Sequence, residues 1–245
     1  MIVSDSDAST TDKKLRAQVD SKKKSWLPPA LLTLLAFIAS IALVMRFPPV
    51  VELEELVRLP VFHGALTWAS FLLFLVMGLL GLWAYFRSSQ QAYSWSQAIR
   101  YSVIALWILN FAMGLTIAGM FWDFSASQQS PLLYLAMEPR IRLQFAVAIL
   151  GIAVMILPTI FDRWRTLALF DGIYGLGTLV LTYIALNFGQ SLHPSNPVMS
   201  SEEEILRYTF FLVSFALVLM CAGIVMLVRT LIAQKSLPST TDDNK

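Results

Sequence analysis

The residues of this chain best suited to hold a metal or a macrocycle are its only two histidines, His63 and His193. His63 stands in Pro60-Val61-Phe62-His63-Gly64-Ala65-Leu66-Thr67-Trp68, and His193 in Ser191-Leu192-His193-Pro194. Two neutral imidazoles facing one another are what a six-coordinate haem iron requires. A histidine at the edge of an apolar run serves equally well as a packed side chain bonded to a neighbouring carbonyl, and both readings stay open on these residues alone. Zinc fits less well, because a structural zinc site takes four ligands and the single cysteine, Cys221, lies inside an apolar run, where it reads as a small core residue.

The next candidates surround these two. The segment 122–138 is aromatic and apolar, with Trp122, Phe124 and Tyr134 in it. It offers either a platform for a flat apolar ligand or an interfacial aromatic belt. It closes on Glu138-Pro139-Arg140, and Arg142 follows. Those arginines can pair with Glu138 or Asp123, or with the carboxylates of a ligand such as haem propionates. Asn110 and Asp171 fall within apolar runs, where a polar group is costly unless partnered, so both are expected to face the interior of a helix bundle.

The elements that must position these residues are membrane helices. Hydrophobic residues make up 57% of the chain and charged residues only 14%, far from the balance of a soluble domain. Apolar runs of about 20 residues, the length that crosses roughly 30 Å of hydrocarbon, recur along the whole sequence. We expect an all-α polytopic membrane protein with six spans, over 26–46, 59–86, 101–121, 141–160, 166–187 and 207–231. Pro48 and Pro49 end the first span, Pro60 opens the second, and Gly114 and Gly119 give the third small surfaces for close packing. A polar link over 87–100 joins the second and third spans, and Asp162-Arg163-Trp164-Arg165 makes the fourth and fifth a helical hairpin.

The organisation read from this pattern is a polar, disordered tail over 1–25, a transmembrane domain over 26–232 and a short tail over 233–245. Of the 18 Lys and Arg residues, Arg46, Arg58, Arg140, Arg142 and Arg207 fall on one side of the membrane and the rest on the other. The side with the excess is cytoplasmic. Both termini are then cytoplasmic, and His63 and His193 share the outer face. A formal net charge of +2 with no basic stripe gives no basis for a nucleic-acid partner.

In order, spacing and sidedness, these residues resemble the cytochrome c assembly proteins of the CcmC and CcsA type. The resemblance lies in the histidine and nearby tryptophan opening the second span, the outer loop ending in Glu138-Pro139-Arg140-Ile141, and His193-Pro194 after the fifth span. It covers the chain from Leu59 to Arg229. It implies that His63 and His193 are the flanking axial ligands of a non-covalent b-type haem. It further implies that Trp122, Tyr134, Glu138 and Arg140 belong to the haem-binding loop, with propionates near Arg140 or Arg58. Where the family places several tryptophans, the segment 131–137 has Tyr134 as its only aromatic residue, which implies a weaker platform.

The expected function is haem handling at the outer membrane face for cytochrome c maturation. Its partners would be membrane lipid, haem and a haem acceptor or other maturation subunits, and its location a bacterial inner membrane. The mechanism would be coordination, presentation and transfer, since no nucleophile or acid–base pair is evident. Two other functions fit the same sequence: a b-type electron-transfer subunit in which both histidines hold a permanent haem, and a non-haem transporter accessory or scaffold.

Overall fold

The structure, a computed structural model, describes residues 26–50, 55–121, 130–188 and 203–235. Within them the chain forms α1 (Leu27–Met45), α2 (Arg58–Arg87), α3 (Gln90–Phe121), α4 (Pro131–Met137), α5 (Pro139–Ile156), α6 (Trp164–Phe188) and α7 (Glu204–Lys235), with no strand. All but α4 are long and apolar enough to cross a membrane. The expected six spans are therefore present.

The ends of these helices follow local chemistry. Pro28 and Pro29 lie in the first turn of α1, where their missing N–H groups leave no intrahelical bond unmade. Pro158 draws the end of α5 into a 3-10 turn over Leu157–Thr159, so the regular helix stops at Ile156, short of the expected Ile160. The link expected over 87–100 is in fact only Ser88 and Ser89. Ser88 ends α2 in the left-handed conformation at φ 52°, and the Ser89 hydroxyl accepts from the Ala92 backbone N–H to start α3. The polar residues that looked like a loop are the first turns of a long helix. In the same way, the second half of the expected 122–138 loop is α4, capped by Ser130 and begun by Pro131. At the far end, α7 continues to Lys235, beyond the expected limit of the membrane domain.

The bundle is built around α2, which packs most extensively on α6 and α3 and also meets α7. α1 lies outside, mainly against α7, and α5 closes the other flank on α3 and α6. Two large apolar cores result, besides a small cluster of Ala84, Ala92 and Ala168 between α2, α3 and α6. One, with Phe47, Val61, Leu66, Leu217 and Cys221, joins α1, α2 and α7, and the other, with Phe74, Met77, Trp107, Val147 and Tyr174, joins α2, α3, α5 and α6. Leucines and isoleucines such as Leu35, Ile38, Leu79 and Ile149 remain exposed on the outer surface, as a lipid-facing surface requires.

α2 and α6 approach one another closely. A Cβ on Gly175 would stand 2.5 Å from the Phe74 carbonyl oxygen, and one on Gly81 would stand 2.6 Å from the Ala168 carbonyl oxygen. Only residues without side chains allow two backbones to come so near. Of the two glycines singled out on α3, Gly114 does face a neighbour, but at Gly119 no described residue lies within 4 Å of an added Cβ.

One end of this four-helix core holds a buried ion pair. Arg100 on α3 donates from Nη1 to Asp171 Oδ1 on α6 at 2.9 Å, and both side chains are fully buried. Ser96 donates to the second carboxylate oxygen at 2.9 Å. Asp171 thus faces the interior as expected, with its charge partnered. Arg100, counted above among the topology-setting loop charges, is that partner.

Candidate functional site

At the other end of the same four helices, α2, α3, α5 and α6 part around a cavity of about 340 Å³. His63, Thr67, Trp68 and Phe71 line it from α2, Trp107 and Gly114 from α3, Arg140 and Gln144 from α5, and Thr182 and Leu186 from α6. Glu138, the residue before α5, completes the polar wall. Among the described residues an imidazole, a carboxylate, a guanidinium and an amide therefore meet over largely apolar surroundings. That composition matches small-molecule sites, which are mostly apolar with a few placed polar groups.

Each polar residue is put there by its helix. Glu138 is fully buried and caps α5, its Oε1 accepting from the Arg140 N–H at 3.3 Å, with Pro139 in the first turn. The cap fixes Arg140 one residue into the helix and Gln144 one turn further. Arg140 Nε is buried with no hydrogen-bond partner among the described residues. Arg142, on another face of the helix, donates from Nε and Nη2 to the carbonyls of Ala136 and Met137 at 2.7 and 2.8 Å, tying down the end of α4. Among the described residues its partners are these backbone carbonyls and not Glu138, while Asp123 lies outside the described residues. Arg58 pairs with Glu55 at 3.1 Å and is not part of the cavity lining.

The floor is aromatic. The Trp107 indole donates to the Gln144 carbonyl oxygen at 3.0 Å, and its ring lies 5.7 Å from that of Phe71 and 5.4 Å from that of Phe74. Phe74 in turn makes an edge contact with Tyr174 at 5.5 Å. Offset and edge-on pairs of this kind add to packing beyond the area they bury. They also separate the cavity from the Arg100–Asp171 pair.

The side of the cavity facing α3 is shaped around His63. A Cβ on Gly114 would stand 2.8 Å from His63 Cε1 and 3.3 Å from Nε2. Thr67, one turn after His63, donates to the His63 carbonyl at 2.9 Å and accepts from Asn110 Nδ2 at 2.7 Å. Asn110 is 1% exposed, so it too faces the bundle interior as expected.

No family model, no curated protein and no solved structure matches this chain.

Of the residues singled out from the sequence, His63, Glu138 and Arg140 are brought together at the cavity although about 75 positions separate the first from the others. His193 and Trp122 lie outside the described residues, as does the side chain of Tyr134, whose backbone belongs to α4. Among the described residues there is no group of three or more His, Cys, Asp and Glu able to hold a metal ion. The sequence did not single out Gln144, Phe71, Trp107 or Thr182. Gln144 carries a signal, being a polar residue in an apolar span one turn after Arg140. The aromatic residues carry none, since any span of this composition contains several.

Proposed function

We propose that this protein is a membrane haem-binding protein that holds haem at the His63 cavity and presents it at the outer membrane face for cytochrome c maturation. The observation that carries this reading is the convergence of His63, Glu138 and Arg140 on one aromatic-floored cavity. The residues present fit one side of the group. His63 supplies an imidazole for the iron, Trp68, Phe71 and Trp107 supply apolar surface for the ring, and Arg140, whose Nε has no hydrogen-bond partner among the described residues, suits a propionate. His193 would be the opposite ligand. Bound haem would supply an iron centre whose open positions both histidines close, which favours holding and transfer over oxygen chemistry. The chain's own part is to bind and orient: Glu138 caps α5 so that Arg140 faces the cavity, while the aromatic floor excludes water.

The deciding measurement is the absorption spectrum of purified protein with haem, in both oxidation states. A low-spin Soret spectrum is expected, and His63→Ala and His193→Ala should each turn it high-spin or abolish it. Unchanged low-spin spectra in both variants would overturn the ligand assignment, and a parent protein that takes up no haem would overturn the function.

The sidedness in this reading comes from the distribution of Lys and Arg, with both termini cytoplasmic in a bacterial inner membrane. In intact cells, Ser6→Cys and Ser239→Cys should stay shielded from an impermeant thiol reagent, while Ser195→Cys should react. Labelling of either tail would place the His63 cavity on the cytoplasmic side.

A further inference from the structure

We infer that α3 positions the His63 imidazole, with Gly114 setting where the ring lies and Asn110, acting through Thr67, holding the backbone that carries it. Asn110 and Gly114 are four residues apart and so share one face of α3, the face turned toward the start of α2. Two independent contacts mark that face. At Gly114 the space a methyl group would fill is taken by the His63 ring, since an added Cβ would be 2.8 Å from Cε1, closer than real side chains approach. At Asn110 a fully buried amide donates one N–H to Thr67 Oγ1 at 2.7 Å, and the Thr67 hydroxyl donates in turn to the His63 carbonyl at 2.9 Å. Burying an amide at membrane depth is costly, and this bond offsets the cost only while α2 and α3 keep this register. Asn110 and Gly114 are thus positioning residues. They touch His63 or its support and define the direction from which a ligand meets the imidazole.

The ligand part of this inference rests on the haem reading, but the positioning part does not, and the two separate in one experiment. His63 and His193 are the only histidines, so protein labelled with ¹⁵N and ¹³C at histidine gives two imidazole signal sets, assigned by the loss of one in His63→Gln. Without haem, Gly114→Ala should move the His63 signals by more than their line width. Gly119→Ala, where no described residue lies within 4 Å of the added Cβ, should leave the His63 signals in place. Thr67→Val should also move the His63 signals, and Thr67→Ser, which keeps the hydroxyl, should restore them. Titrated with haem, Gly114→Ala and Thr67→Val should bind about tenfold more weakly than the parent. His63 signals that superimpose on the parent's in both variants would overturn the inference. If Gly114→Ala fails to fold, Thr67→Val against Thr67→Ser decides alone. Signals that move as expected in a protein that takes up no haem would leave the positioning intact and overturn the haem reading.

Discussion

Replacing Arg100 with Met is expected to destabilise the bundle by about 3–5 kcal/mol, because it leaves the Asp171 carboxylate buried without its cation. Both side chains are fully buried and 2.9 Å apart, and the bonds from Arg100 and Ser96 take up one Asp171 oxygen each. Asp171→Asn should be as damaging from the other side, stranding the guanidinium, whose Nε and Nη2 have no other hydrogen-bond partner among the described residues. The double variant Arg100→Met/Asp171→Asn should cost much less than the sum of the two, since removing both charges removes the desolvation penalty together with the attraction. The amide at 171 can still accept from Ser96. Unfolding of all four proteins in one detergent, compared as a double-mutant cycle, reads this coupling. Costs that simply add would show that the pair does not act as a unit.

Placing a methyl group at Gly175 or Gly81 is expected to destabilise the bundle by about 3 kcal/mol or more at each site, and the double variant Gly81→Ala/Gly175→Ala to leave no folded protein. A Cβ at Gly175 would meet the Phe74 carbonyl oxygen at 2.5 Å and the Gly78 nitrogen at 2.8 Å. One at Gly81 would meet the Ala168 oxygen and the Gly172 nitrogen, both at 2.6 Å. All four obstacles are backbone, so no rotamer change relieves the clash and α2 and α6 must move apart. Overpacking that side chains can absorb costs roughly 1–3 kcal/mol, and a clash between backbones lies at or above the top of that range. Gly177→Ala is the control on the helix of Gly175, with no described residue within 4 Å of the added group and no expected loss. The measurement is the fraction of monodisperse protein after detergent extraction, followed by thermal unfolding of what remains. Single variants as stable as the Gly177→Ala control would show that the helices are held together elsewhere. Because α2 and α6 both line the His63 cavity, their separation should also be felt there.

What the sequence determined by itself is the class of protein and the number of its spans. Crossing hydrocarbon is a property of a run of residues: about 20 apolar side chains and an internally bonded backbone suffice, whatever lies beside them. The same one-dimensional logic marked Asn110 and Asp171 as inward-facing, since a polar group within such a run has few acceptable places to go. Helix starts were partly legible too. Pro60 reads as the opening of the second span, and it stands in the first turn of α2. Which faces meet could not be read in this way. In a membrane the lipid is as apolar as the helices, so hydrophobic pattern says little about which side of a span turns inward, and the choice falls to steric fit and single polar contacts. Gly114 and Gly119 look alike in sequence, yet one cradles an imidazole and the other meets no described residue. Arg100 reads as a loop cation until α6 brings Asp171 to it. His63, Glu138 and Arg140 become a site only because the glycine-packed α2 and α6 close tightly toward one end while α3 and α5 hold a cavity open at the other.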